Sequence, residues 1–319
     1  MAFLLLTHTS YASDVKASPS SPEQNTPLAV LVAEAEQGDP KAQVALALRY
    51  GKGEGVRKDY QKAVELLRKA ADQGYADAQF ALGGGYFQGK GVPQDEFRAF
   101  ELTMQAAQQG HSEAQYNVAS CYLNGIGVSK NSVQAFEWMT KAALQDLVIA
   151  QYGLKQLYED GIGISQNTET AFEWCMKAAL KGHPEAQNSI GCCYDMGRGV
   201  PVNSEKAFEW YMKAAEQGSP LGQYNLGCCY ERGIGVQQDS VKAQEWFTKA
   251  AQQGENAAQY NMGVYYYYGR GGLPVDMSKG MEWWQKSADA GNAHARDALE
   301  SVFAGKPVKV KPGTLTKDK

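Results

Sequence analysis

Histidine is scarce in this chain: His8, His111, His183 and His294 are the four among 319 residues. With so few, no Ser/His/Asp or Cys/His grouping emerges, and no paired carboxylates recur where a cleft would form. Cysteine is limited to Cys121, Cys175, Cys192, Cys193, Cys228 and Cys229. None shows the Cys-x2-Cys spacing that zinc favours, so these are read as small packing residues and neither metal nor cofactor is expected. No Gly-Lys-Ser/Thr ending follows any of the Gly-x-Gly pairs, which excludes a phosphate-cradling loop of that type. There is no apolar run of about 18 residues, hence no ordinary transmembrane helix. Charge of either sign is not in excess: 31 basic and 35 acidic residues give a net −4, without the basic footprint of a nucleic-acid binder.

What the chain has in quantity is glycine, 34 residues of it, and the glycines are periodic. One opens each of a series of similar stretches at Gly38, Gly74, Gly110, Gly182, Gly218 and Gly254, with Asp146 standing in once. The step is 36 residues throughout, except that Gly254 to Gly291 is 37 because Gly272-Leu273-Pro274 lengthens one loop. A fixed period of this size overrides the two-domain expectation from length alone and predicts a single elongated array of repeats.

With the opening residue as position 0, position 4 is Ala42, Ala78, Ala114, Ala150, Ala186, Gly222 and Ala258, and position 12 is always tyrosine, from Tyr50 to Tyr266. With Leu46, Leu82, Val118, Leu154, Ile190, Leu226 and Met262 at position 8, this spacing of four predicts a helix, A, with one apolar stripe. Glycines at positions 15 and 17, such as Gly125 and Gly127, end it in a tight turn. Asp or Asn at position 21 (Asp59, Asp95, Asn131, Asn167, Asn203, Asp239, and Asp276 after the insertion) predicts the N-cap of a second helix, B. Helix B carries Trp138, Trp174, Trp210, Trp246 and Trp283, read as packing residues rather than as a sugar-stacking ladder, and it closes on Lys-Ala-Ala. Neither helix can bury its apolar face alone, so neighbours must stack.

The run Ala258-Gln259, Met262-Gly263, Tyr266, Gly269, Gly271, Asp276, Lys279, Trp283 and Lys286 resembles the Sel1-like repeat, a relative of the tetratricopeptide repeat. Seven such units cover residues 38–290, starting at 38, 74, 110, 146, 182, 218 and 254. The resemblance implies an all-α, right-handed superhelical solenoid. It also implies an adaptor that holds other proteins, and some bacterial members of the family are exported and engage host cells. One exported, cysteine-rich subgroup is linked to penicillin binding and has a disulfide in each repeat. Here alanine and glutamine occupy that subgroup's usual cysteine positions.

The ends are read separately. Residues 1–12 look like the back half of a secretory signal, with Ser10-x-Ala12 as a cleavage site, and 13–27 as a disordered linker. This favours a periplasmic or secreted protein, a cytoplasmic one being the alternative. The solenoid is expected over 28–304, with Leu28–Gln37 as a lone helix B and 291–304 as a C-terminal cap built on a lone helix A. Residues 305–319 read as a flexible basic tail. For an exported chain, Cys175 and Cys192 are the cysteine pair best placed for a disulfide, eight residues before and nine after His183. Six reduced thiols is the other reading.

Positions 3, 7, 10 and 14 of helix A lie off the packing stripe and vary along the array, as a recognition surface would. The candidate partner-binding residues are therefore Asn117, Asn225 and Asn261 at position 7, and Asn124, Arg232 and Tyr268 at position 14. Position 7 asparagines can both donate to and accept from an extended peptide backbone. The function expected is a non-enzymatic adaptor or scaffold binding a peptide or protein on its concave face. The alternative is an exported enzyme acting on cell-wall material or β-lactams, by analogy with the cysteine-rich subgroup.

Overall fold

The computed structural model describes residues 26–308. Residues 1–25 and 309–319 lie outside it, and with them the expectations for a signal segment, most of the linker and most of the tail. Sixteen α-helices and no strand occur among the described residues. They fall into two compact units, divided between Gln166 and Asn167. The first unit holds α1 (Leu28–Glu36), α2 (Pro40–Lys52), α3 (Tyr60–Asp72), α4 (Ala76–Gln88), α5 (Glu96–Gln108), α6 (Ser112–Asn124), α7 (Ser132–Leu144) and α8 (Val148–Asp160). The second holds α9 (Thr168–Leu180), α10 (Pro184–Met196), α11 (Ser204–Glu216), α12 (Pro220–Arg232), α13 (Ser240–Gln252), α14 (Asn256–Tyr268), α15 (Met277–Asp289) and α16 (Ala293–Phe303). Even-numbered helices are type A and odd-numbered ones type B. Within each unit consecutive helices pack in pairs, which makes each an all-α stack of the kind a solenoid is built from.

Helices of thirteen residues, as α2 and α3 are, would be marginal in isolation. Their ends are fixed by local chemistry. The side chains of Asp59, Asp95, Asn131, Asn167, Asn203, Asp239 and Asp276 accept from backbone N–H groups in the first turn of the B helix that follows each. Asp59, Asp95, Asn131, Asn203, Asp239 and Asp276 also donate their own N–H to the carbonyl of the position 12 tyrosine, Asp95 to Tyr86 at 3.0 Å and Asp239 to Tyr230 at 2.9 Å, which closes each of those A–B loops on itself. His111 and His183 cap helices α6 and α10 through Nδ1, which accepts from Ala114 N and Ala186 N. Burial pulls the His183 imidazole below its usual range against the opposing pull of Glu185, which favours the neutral ring that this cap requires.

Two devices join one repeat to the next. The first is a glutamine spine. Position 5 glutamines, buried from Gln43 to Gln223 and half-buried at Gln259, reach back at Gln43, Gln115, Gln151, Gln187, Gln223 and Gln259 to the open carbonyls at the end of the preceding B helix, as Gln115 does to Ala107 at 3.1 Å and Gln187 to Ala179 at 3.2 Å. Their Oε1 atoms accept in turn from position 35 glutamines on the following B helix: Gln73 to Gln43, Gln109 to Gln79, Gln145 to Gln115, Gln217 to Gln187 and Gln253 to Gln223, at 2.6–3.1 Å. In the last repeat the position 35 residue is Ala290, and Gln259 Oε1 has no hydrogen-bond partner among the described residues.

The second device is the glycine at position 17. A Cβ built on Gly91, Gly127, Gly163, Gly199, Gly235 or Gly271 would sit 2.0–2.7 Å from the first carbonyl oxygen of the B helix one repeat earlier. The A–B turn therefore docks backbone to backbone, and a turn residue with a side chain would hold the repeats apart.

The aromatic core lies one residue from where the tryptophan spacing suggests. Trp138 and Trp210 are 8% exposed, Trp174, Trp246 and Trp283 are half-buried, and each lies under a lysine ammonium 3.7–4.4 Å from its ring centroid. The fully buried rings are Tyr211, Phe247 and Trp284, the residues that follow Trp210, Trp246 and Trp283. They fill the space left by Gly191, Gly227 and Gly263, where a Cβ would lie within 2.3–2.7 Å of the ring. Tyrosines at position 12 pack edge-to-face on a phenylalanine of the preceding repeat, Tyr122 on Phe100 at 5.5 Å and Tyr230 on Phe208 at 5.4 Å between centroids.

Gly55→Ala and Gly127→Ala separate backbone strain from docking. Both glycines have positive φ, but only Gly127 faces a carbonyl, Glu96 O at 2.1 Å, while nothing lies within 4 Å of a Cβ on Gly55. Gly55→Ala should cost about 1–2 kcal/mol. Gly127→Ala should cost a further ~1–3 kcal/mol from overpacking, read by urea titration of each variant. Equal losses would mean that the close approach carries no energy. In the opposite direction, Ala290→Gln should supply the missing donor to Gln259 and raise stability by about 1 kcal/mol. A melt no higher than that of the parent would show that the spine is not worth extending.

Candidate interaction surface

The six candidate residues divide by position. Asn117, Asn225 and Asn261 do not lie on an open face: they are 4%, 0% and 4% exposed. Asn225 Nδ2 donates to Asn188 Oδ1 at 2.9 Å and lies 3.9 Å from Cys192 Sγ, and Tyr211 donates its hydroxyl to the same sulfur at 3.3 Å. The Asn188–Asn225 bond ties α10 to α12, which pack directly on each other. Asn117 Nδ2 has no hydrogen-bond partner among the described residues. The physical reason for the difference from expectation is lateral packing of A helices. At Asn225 position 7 faces the neighbouring A helix, so its amide is spent between repeats and not offered outward. The signal was present at position 10, where Cys192 and Cys228 stand, since cysteine is among the residues most often buried.

Position 14 is at the surface. Asn124 is half-buried, donates to Ser120 O at 2.9 Å and borders a cavity of about 10 Å³ between α6, α7 and α8, roughly the room one water needs. Arg232 is exposed, and Tyr268 is 38% exposed and donates its hydroxyl to Val308 O at 3.0 Å. Around them in the second unit are residues that the variation at positions 3, 7, 10 and 14 did not single out. Asp195 and Glu231 occupy position 13 on α10 and α12. Burial pushes the Asp195 carboxyl up, and Arg232 pulls it back. Glu231 accepts the hydroxyl of Tyr265 and lies 3.8 Å from Arg270 Nη1. Burial, reinforced by that carboxylate, pushes the Tyr265 hydroxyl far above its usual range. The acidic residues at successive position 13 sites could have been read from the sequence.

All six cysteines are buried thiols outside any disulfide, Cys175 and Cys192 included. Cys175 donates to Ala186 O at 3.5 Å, while Cys192 accepts from Tyr211. Burial pushes the Cys228 thiol up to about 12, so at neutral pH it is protonated and a poor nucleophile. Among the described residues no three His, Cys, Asp or Glu side chains are grouped to hold a metal ion, and no helix is long and apolar enough to cross a membrane. What the surface offers is side chains suited to contact: a guanidinium, carboxylates, a phenol and an amide.

The Sel1 repeat profile matches seven successive segments, 40–75, 76–111, 112–147, 148–183, 184–219, 220–255 and 256–292. No curated protein sequence matches the chain. Among solved structures, a Sel1 repeat protein from Oxalobacter formigenes is 35% identical, with a TM-score of 0.71 over 86% of this chain and 79% of that one. The c5321 protein of uropathogenic Escherichia coli, described as a protective antigen with the same repeat fold, is 32% identical, with a TM-score of 0.70 over 88% of this chain and 68% of that one. On seven matched repeats and these two relatives, the chain belongs to the Sel1 repeat family.

Proposed function

We propose that this protein is a non-enzymatic adaptor that holds a peptide or protein segment along the A-helix side of its repeats, the concave side expected of a repeat superhelix. One observation carries the reading. Position 14 is occupied by Lys52, Gln88, Asn124, Asp160, Met196, Arg232 and Tyr268, seven different residues on a backbone that is otherwise repeated, and every one is exposed or half-buried. Packing does not require that diversity, and within each unit distinct surface groups at a fixed interval are suited to reading a partner. On this reading Asn124, Arg232 and Tyr268 contact the partner. Asn117, Asn225 and Asn261 sit beneath and set the spacing of the helices that present them.

Affinity capture with the full chain and mass spectrometry would identify the partner, and variants would locate it. Asn124→Ala with Arg232→Ala should reduce capture at least tenfold and leave the melting transition within about 0.5 kcal/mol of the parent, as for ordinary surface changes. A second pair on the outer face of the B helices, Glu137→Ala with Glu209→Ala, should leave capture intact. Undiminished capture by the first pair, or loss confined to the second, would overturn the placement.

A further inference from the structure

Gly305 ends α16 with a φ of +64°, and the backbone N–H of Lys306 donates to Ser301 O at 2.8 Å. Beyond the helix, Lys306-Pro307-Val308 has no regular secondary structure and reaches α14. Its course is specific. The Val308 carbonyl accepts the Tyr268 hydroxyl at 3.0 Å, and the Val308 side chain packs on the apolar cluster containing Tyr260, Val264, Trp284 and Leu299. Val264 and Tyr268 are positions 10 and 14 of α14, members of the varied set on its A side. Arg270 flanks the contact, its guanidinium 5.7 Å from the Tyr268 ring centroid.

The arrangement has the parts by which extended peptides are recognised: a side-chain donor on a backbone carbonyl, and an apolar recess for one side chain. Pro307 fixes φ in the segment, so little conformational freedom is lost when it docks. We infer that the A side of α14 and α16 is a binding site for extended peptide segments carrying a β-branched apolar residue directly after proline, and that Lys306–Val308 is its built-in occupant, which an incoming segment must displace. The inference rests on the adaptor reading and gives it a ligand chemistry. Because the occupant is tethered a few residues from its site, its effective concentration is on the order of millimolar, and a competing peptide must overcome that.

The probe is a fluorescently labelled synthetic peptide of residues 305–312, Gly-Lys-Pro-Val-Lys-Val-Lys-Pro, titrated by anisotropy into three full-length chains: wild type, Val308→Asp, and Val308→Asp with Tyr268→Phe. Val308→Asp removes the resident side chain from its recess. The peptide should bind that variant at least tenfold more tightly than wild type. Tyr268→Phe should then weaken binding several-fold, and a peptide with Asp at the Val308 position should not bind. Should Val308→Asp shift the melt, Val308→Gly takes its place. Equal binding to wild type and variant, or none to the variant at millimolar peptide, would overturn the inference. Tyr268 is common to both readings, but the outcomes are separable because the capture test changes Asn124 and Arg232, which the peptide site does not use, and leaves Tyr268 in place. Capture without peptide binding removes this site alone, and peptide binding without capture removes the broader placement alone.

Discussion

Everything in each unit leans on one close approach: the position 17 glycine of a turn against the first carbonyl of the B helix one repeat before it. A Cβ on Gly163 would meet Ser132 O at 2.0 Å, so the separation of repeats is set where backbone touches backbone. With that distance fixed, the rest has to fit. Tyr211, Phe247 and Trp284 need Gly191, Gly227 and Gly263 opposite them, and the position 5 glutamines come into range of the position 35 glutamines. Thirteen-residue helices without strong intrinsic stability are thereby made mutually dependent.

The same closeness decides what is left for recognition. In the second unit α10 and α12 are drawn together until position 7 of α12 lies between them. Asn225 accordingly spends its amide on Asn188, and Cys192 and Cys228 are sealed in with it. Position 14, one turn beyond position 10 and next to the glycine turn, emerges at the rim where Arg232 and Tyr268 are reached by solvent. Interior and rim belong to one helix and differ by two turns. The polar character of a residue therefore says little about its exposure in such a stack: Asn225 is buried with Asn188 as its partner, and Asn117 is buried with no partner for its Nδ2 among the described residues.

Much of the fold was legible because the repeat states it seven times. Helix ends followed from Asp59, Asn131 and Asp239 as caps and from the paired glycines, all local chemistry with short-range causes. The glutamine spine and the true core ring were not foreseen. Gln115 and Gln145 are thirty residues apart, and nothing in either helix alone shows that the two amides meet. Trp246 drew attention by size, but the helix rotation that places Phe247 inward is fixed by Gly227 on another helix. The recognition surface was legible by half: variation marked both position 7 and position 14, and only the approach of neighbouring A helices tells one from the other.

The claim that this inner face is closed, and that contact is confined to its rim, is tested most directly by the thiols. Cys121, Cys175, Cys192, Cys193, Cys228 and Cys229 are buried, most of them along helices A. Labelling the folded full-length chain with a small thiol-alkylating reagent, quenched over time and mapped by mass spectrometry, should leave all six unmodified until denaturant is added, when all six should react. Rapid modification of Cys192 or Cys228 in the folded chain would contradict it, since the face beside Asn225 would then be open to solvent.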